Sequence, residues 1–370
     1  MNGMELWILL ALFVPIIAIV TITPLITRKV EAFGVTVPEG VKQEPFVKKQ
    51  IKTYITLCTA LGLVLIVALL LLLQSNQEES FYAIAYSCFI FGYMLASFIF
   101  YYVSHVQIKK WKQTQSWYDE QLATQKIVVQ TGFHNKRMTI SLAWYIPHVL
   151  LVIGTVIYSL LNYDKFPEII PMQFNFDGEI TRSVEKSVSA VLGLSGIALT
   201  MIVVFIFSHI SIAKAKQVVE SKDPEGSVER NRRFRYSWSV FTAITGFLIV
   251  LIMCFGQLSF LLNISNNTNM LITFTVVGVI VIGAIVLSIR TGQGGSRIKL
   301  NDSHGKSNVA VADQDQYWKA GVFYWNSKDP AIFVEKRFGV GWTMNFARPL
   351  SWLLIIGILA IVLIPSIFLS

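Results

Sequence analysis

Apolar residues in this chain come in long unbroken blocks separated by polar connections. A bilayer-spanning helix needs about 20 consecutive apolar residues. Eight segments reach that length, roughly 5–27, 52–73, 81–103, 142–161, 187–209, 237–261, 269–289 and 349–368, and the core of each is free of Asp, Glu, Lys and Arg. The pattern predicts an all-α membrane protein with eight transmembrane helices. Pro15 predicts a kink in the first, which spanning helices tolerate. Met1 to Glu5 carries no positive charge and no small-residue cleavage site follows. The first block is therefore expected to be a span rather than a cleavable leader.

Composition agrees with the pattern. The chain is 54% hydrophobic and 14% charged, against about 25% charged in soluble domains. The net charge of +9 takes its meaning from position. Lys and Arg gather in loops 28–52, 104–141, 210–236 and 290–348, which hold 28 of the 31, whereas the intervening connections hold the remaining three, all in loop 162–186. Basic loops stay on the cytoplasmic side. This predicts both termini outside, four cytoplasmic loops, and attraction of those loops to the anionic inner leaflet of the lipid bilayer. The charge is thereby read as a leaflet feature in preference to nucleic-acid binding.

The loops carry smaller signals. Phe33-Gly-Val-Thr-Val-Pro-Glu39 alternates before a proline and reads as a short extended piece. Ile108, Trp111, Gln115, Tyr118 and Leu122 recur at helical spacing, so the third span continues as a helix that either lies along the headgroups or forms a partner-binding stalk. Ile127 to Ser141 reads as a hairpin about Gly132. Asp223-Pro-Glu-Gly226 reads as a turn between helix ends. Thr291-Gly-Gln-Gly-Gly-Ser296 opens a polar stretch expected to be a flexible linker over 290–316. Its glycines follow a spanning helix and no Gly-Lys-Ser/Thr occurs, so a phosphate loop is rejected.

From Tyr317 to Phe346 nine of 30 residues are aromatic, too many for a disordered tail. Val322 to Trp325 and Ile332 to Arg337 read as strands joined through Asn326 to Pro330, with Gly339 and Gly341 allowing a close approach. The segment 317–348 is expected to be a small module at the membrane surface, where aromatic rings are favoured. Trp318, Gly321, Trp325, Arg337, Gly341 and Trp342 are its candidate membrane-interface or partner residues. The competing reading is a base-stacking platform, since Lys319, Lys328, Lys336 and Arg337 interleave with the rings.

Catalytic and metal chemistry find no support in the pattern. No two of the five histidines have i, i+4 spacing. Cys58, Cys88 and Cys254 each lie inside an apolar block and predict buried thiols, not disulfides. Gly193-Leu-Ser-Gly196 lacks the last glycine of a nucleophile elbow and reads as small-residue helix packing. His148, inside a span after Pro147, is the one intramembrane polar candidate; its competing reading is a neutral imidazole bonded to a neighbouring helix. No cofactor or metal is expected, and the chain is not expected to be an enzyme.

That leaves loop 162–186, the one sizeable piece predicted to face outward. Pro167 and Pro171 stiffen its first half. Met172-Gln-Phe-Asn-Phe176 alternates, and Asp177-Gly178 signals a hairpin turn. Ile180 and Val184 are expected to face back onto Phe174 and Phe176. The hairpin either recognises something outside or caps the helices.

Pro167, Pro171, Gln173, Phe174, Asn175, Gly178 and Glu179, with Lys186 after them, resemble an uncharacterised domain of Gram-positive membrane proteins that also occurs in Sdp-type toxin-immunity proteins. Gln173 stands where that pattern has His, which speaks against proton or metal work there. Phe33 to Pro38 looks like an element of longer members, and Tyr317 to Phe346 resembles a separate uncharacterised C-terminal module of such proteins. The resemblance implies protection against a secreted toxin and capture of a cytoplasmic regulator at the membrane. Pro167, Pro171, Gln173, Asn175, Gly178 and Lys186 are its candidate binding residues.

The expected organisation is four helices over 1–161, the outward loop 162–186, helices five to seven over 187–289, the linker 290–316, the aromatic module 317–348 and a last helix over 349–370. The expected function is a sensor or immunity-like membrane protein that recognises an extracellular peptide or toxin and signals to a cytoplasmic protein. The alternative is a transporter or channel for a neutral or small substrate.

Overall fold

The computed structural model describes residues 3–75, 79–118, 137–174, 179–217, 223–300 and 313–368. Among them are eight helices: α1 (Gly3–Ile26), α2 (Pro45–Leu72), α3 (Glu79–Lys112), α4 (Ile146–Leu161), α5 (Val188–Lys214), α6 (Pro224–Ser259), α7 (Asn266–Thr291) and α8 (Pro349–Phe368). Six stretches are long and apolar enough to cross a membrane: Pro45–Leu72, Ser80–Lys112, Leu142–Leu161, Val188–Lys214, Glu225–Ser259 and Asn266–Gly295. Within α1 and α8, the stretches Leu12–Ile26 and Pro349–Ala360 are also apolar. Of the eight spans expected, six stand as helices of spanning length among the described residues, which make this a multi-pass membrane protein.

Among the described residues, four antiparallel hairpins accompany the helices. Strand β1 (Glu31–Ala32) pairs with β2 (Val35–Thr36), β3 (Ile169–Phe174) with β4 (Ile180–Glu185), β5 (Trp318–Lys319) with β6 (Phe323–Tyr324), and β7 (Phe333–Glu335) with β8 (Trp342–Met344). The strands expected at 322–325 and 332–337 do not pair with each other. Each finds its own neighbour, because Gly321 and Gly339, both at positive φ, let the chain fold back at once.

The chain forms two compact units. The first comprises residues 1–137, 215–234 and 285–348; the second comprises 138–214, 235–284 and 349–370. In the first, α1, α2 and α3 pack together. Phe13 sets its ring edge-on to Tyr86 and Tyr93 of α3. Gly62 admits Ile17 so closely that a Cβ would stand 2.7 Å from it. The core of this unit runs through Ala32, Phe33, Val35, Val37, Val47, Tyr54, Cys58, Tyr101 and Ile108. Ile108 is fully buried in it, and Trp111 stacks on Phe46 at 5.5 Å. The end of α3 is thus a packed element rather than a free stalk.

In the second unit Val152, Ala198, Ile202, Val250 and Cys254 form the core between α4, α5 and α6. Gly246 lets α5 approach: a Cβ there would meet Phe205 at 2.9 Å. A polar seam crosses the same helices. Gln257 Oε1 accepts from Ser195 N at 3.0 Å and Ser195 Oγ at 2.7 Å, while its Nε2 donates to Ser159 Oγ at 2.9 Å. Small polar side chains of this kind bind helices to one another where lipid supplies no hydrophobic drive.

Candidate functional site

The hairpin β3–β4 belongs to the second unit. Its base is fixed from both sides. Phe166, Ile170 and Val191 are buried together, with Tyr163, Met172 and Val184 against them. Lys186 Nζ donates to Phe166 O at 3.2 Å and Glu168 Oε1 at 2.7 Å, and sits 5.5 Å from the centre of the Tyr163 ring. The Lys186 side chain is largely buried whereas Glu168 is exposed, so the carbonyl and the ring do more to hold Lys186 than the solvent-screened ion pair.

Farther from the foot, the described hairpin residues are exposed. Phe174 pairs with Ile180, and both side chains are exposed. Val184 packs inward as expected, but opposite Ile170; Ile180 faces away from the core, because register shifts on either side of Gln173 change which face each strand presents. Pro171 is half-buried and Gln173 exposed, paired with Arg182. Pro167 is exposed just before β3. Asn175 and Gly178, with Phe176 and Asp177, lie outside the described residues. The candidates Pro171, Gln173 and Lys186 therefore share one hairpin, with Lys186 largely buried at its foot and Gln173 exposed.

The first unit gathers pieces of all four basic loops. Arg28 and Glu31 come from the first, Lys112 from the end of α3, Lys216 and Asn231 from the third, and Gln293, Asp315, Glu335 and Arg337 from the fourth. Lys112, almost fully buried, lies 2.7 Å from Asp313 and 2.9 Å from Asp315. Asp315 also accepts from Thr36 N at 3.0 Å and Thr36 Oγ1 at 2.8 Å and pairs with Arg337. Burial pushes the Asp315 carboxyl up, but Arg337 and Lys112 outweigh it and hold the group at about 2. Arg28 pairs with Glu335, which accepts from Asn231 Nδ2 at 2.6 Å. Glu31 is buried, and desolvation keeps its carboxyl above the ordinary range even though Arg28, Arg337 and Lys42 face it.

The aromatic candidates divide by environment. Trp318 is buried under the Arg337 guanidinium, which stands 5.1 Å from its ring centre. Trp342 is half-buried against Phe234 at 5.2 Å. Trp325 and Phe323 remain exposed. Gly341 exchanges two hydrogen bonds with the Gln293 amide, at 2.7 and 2.9 Å. Gln293 is fully buried, so the glycine run at 291–296, expected to be linker, is a tight packed turn; residues 301–312 of the expected linker lie outside the described residues. Gly321 meets Tyr101 and His105 of α3: a Cβ there would stand 2.5 Å from the Tyr101 hydroxyl. Of the base-stacking reading only Phe323 and Trp325 offer open rings.

Several organising residues carry no sequence signal. Tyr101 donates to Ala320 O at 2.9 Å, and His105 Nδ1 lies 2.8 Å from Phe33 O. Asn345, completely buried, donates through Nδ2 to Asn326 O and Asp329 O and accepts at Oδ1 from the amides of Asn326 and Ala347. Lys216 donates its backbone amide to Phe333 O at 2.7 Å and its ammonium to Asp329 at 2.5 Å. His148, the intramembrane candidate, donates from Nε2 to Ala243 O at 3.0 Å and packs on Tyr145 at 4.9 Å. This is the geometry of a histidine bonded to a neighbouring helix. Among the described residues no group of three or more His, Cys, Asp or Glu is arranged to hold a metal ion.

Two partial family matches fall on these features. Residues 150–199 match a domain of unknown function, DUF1648, a domain common in membrane proteins. That span holds most of α4, the hairpin and the start of α5. Residues 328–352 match a family of unknown function, DUF5808, and take in β7, β8, Asp329 and Asn345. The chain is similar to these two families over those residues, which agrees with the two uncharacterised modules expected; neither match names a source organism, a toxin or an activity. No curated protein and no solved structure matches the chain.

Proposed function

We propose that this integral membrane protein is a receptor of the sensor or immunity type, in which the hairpin β3–β4 recognises an extracellular agent and the four-loop module meets a cytoplasmic partner. The observation that carries the reading is the contrast within the hairpin: a foot locked by Lys186, Phe166 and Ile170 beneath an apolar pair, Phe174 and Ile180, left exposed by the fold. A cap would bury such a pair; a recognition element presents it. The sides assigned to the two parts follow from the loop charges. The meeting of all four basic loops in one unit supports their lying on one side. The exposed Phe323 and Trp325 are the module's surface for a partner or for lipid headgroups.

The polar side chains within the spans do not favour transport, since His148, Gln257, Ser159 and Ser195 are hydrogen-bonded between helices. The test is a double substitution, Phe174→Ser with Ile180→Ser, in cells challenged with the growth-inhibitory peptides of neighbouring strains. Loss of tolerance to one such peptide at unchanged protein abundance is the expected result. Unchanged tolerance to all of them, in this variant and in one lacking residues 167–180, would overturn the reading.

A further inference from the structure

We propose that the outer edge of β4, at Ser183 and Glu185, takes up an extended, cationic peptide as a third strand of the hairpin. This rests on the recognition reading above and specifies what is recognised. The phase of the hairpin decides which edge is competent. Lys186 N donates to Glu168 O across its foot at 2.8 Å. Counting on through Ile169↔Glu185, Ile170↔Val184 and Pro171↔Ser183, bonded and non-bonded pairs alternate. Ile170 and Val184 turn their backbone groups toward each other, whereas Ile169, Pro171, Ser183 and Glu185 turn theirs outward.

The two edges are not equivalent. Pro171 has no N–H, so the β3 edge lacks a donor at its centre, and Pro171 and Met172 are half-buried. Ser183 and Glu185 are exposed and keep both N–H and C=O. An exposed edge of this kind is a template for an added strand, with affinity from the main chain and selectivity from the flanking side chains. The register shift beyond Ser183 confines the template to the foot of β4. Glu185 makes no ion pair among the described residues, and a cation on the incoming strand complements it. Ile180, exposed farther along β4, offers an apolar contact.

The test uses the full chain in lipid nanodiscs and a phage-displayed library of short linear peptides as the probe, counter-selected against a chain lacking residues 167–180. Basic peptides should be enriched on the full chain alone. Ser183→Pro removes only an outward N–H and should weaken their binding by about tenfold or more, with Ser183→Ala within about twofold. N-methylation of alternate peptide amides should weaken binding in one phase and not in the other. Binding that depends on the hairpin but ignores both Ser183→Pro and N-methylation would overturn the edge and leave the recognition reading standing. Failure to enrich any hairpin-dependent peptide would remove both. A peptide-free dimer that Ser183→Pro converts to monomer would make the edge a contact between copies instead. Amide exchange at Ile170 and Val184 reports whether Ser183→Pro keeps the hairpin; if it does not, the N-methyl series alone decides.

Discussion

Gly34 and Gly321 meet backbone to backbone: a Cβ on Gly34 would stand 2.5 Å from the Gly321 carbonyl oxygen. The two residues are 287 positions apart, and each follows a non-glycine residue that is itself left-handed, Phe33 at φ 45° and Ala320 at φ 50°. Two turns of the same unusual kind are pressed together against Tyr101 and His105, which accounts for the tolerance of buried left-handed backbone at Phe33. Gly34→Ala therefore combines a left-handed Cβ, at about 1–2 kcal/mol, with overpacking, at about 1–3 kcal/mol. Gly40 is the control. It has φ 94° but nothing within 4 Å of its Cβ position. Thermal unfolding in detergent should show a large loss for Gly34→Ala and at most the backbone cost for Gly40→Ala; equal losses would contradict the close approach.

Asn345 is expected to be the most sensitive polar position of the module. Its amide links the Asn326, Asp329 and Ala347 backbones, which no aliphatic side chain can do. Asn345→Leu leaves buried donors and acceptors unpaired and should cost about 2–4 kcal/mol. Limited proteolysis would read this as faster cleavage between β6 and β8, and unchanged protection would show the amide to be dispensable.

Stability should depend on pH through Asp315. Its folded carboxyl lies at about 2, below the ordinary 3.8. The stabilisation is present in full above 3.8 and is lost as pH falls toward 2. Glu31 acts in the opposite sense, because its folded carboxyl is raised and protonation relieves its burial. Asp315→Asn should flatten the acid limb of a midpoint-against-pH curve below pH 3.8 and lower stability near neutrality. An acid limb unaltered by the substitution would rule out Asp315 as its source.

Gln257→Leu tests the polar seam of the second unit. It removes the partner of Ser159 and Ser195 at the centre of three helices. Interhelical hydrogen bonds in membranes contribute about 0.6–1.7 kcal/mol, so a modest loss of thermal stability is expected, with no gain from the added apolar surface. A variant more stable than the parent would show the seam to serve something other than packing.

The topology has its own test. In a background with Cys58, Cys88 and Cys254 replaced by alanine, Ser183→Cys should react with an impermeant maleimide in intact cells, and Ser327→Cys only after lysis. Both serines are exposed, so accessibility within the fold does not separate them. The reverse labelling would invert the assignment drawn from the loop charges.

Local pattern in the chain is enough to place its helices and turns. Apolar length specifies helices, and six of the eight expected blocks have spanning length among the described residues. Asp223-Pro-Glu-Gly226 starts a helix, with Asp223 accepting from Gly226 N at 2.9 Å, because capping acts within one turn. Loop 162–186 holds a paired hairpin for the same reason. Which pieces meet depends on contacts between segments far apart in the chain. Val322 to Trp325 and Ile332 to Arg337 each read as strands, but their partners were set by contacts with Lys216, Asn345 and α3. The glycine run at 291–296 has a linker's composition, yet Gln293 has one specific partner in Gly341. Phe33 and Phe338 stack at 5.7 Å although nothing in either segment marks the other. Periodicity records the environment of one element; it holds no information about which distant backbone will satisfy a buried amide or carboxylate, and that pairing decides the fate of Asp315, Asn345 and Gln293.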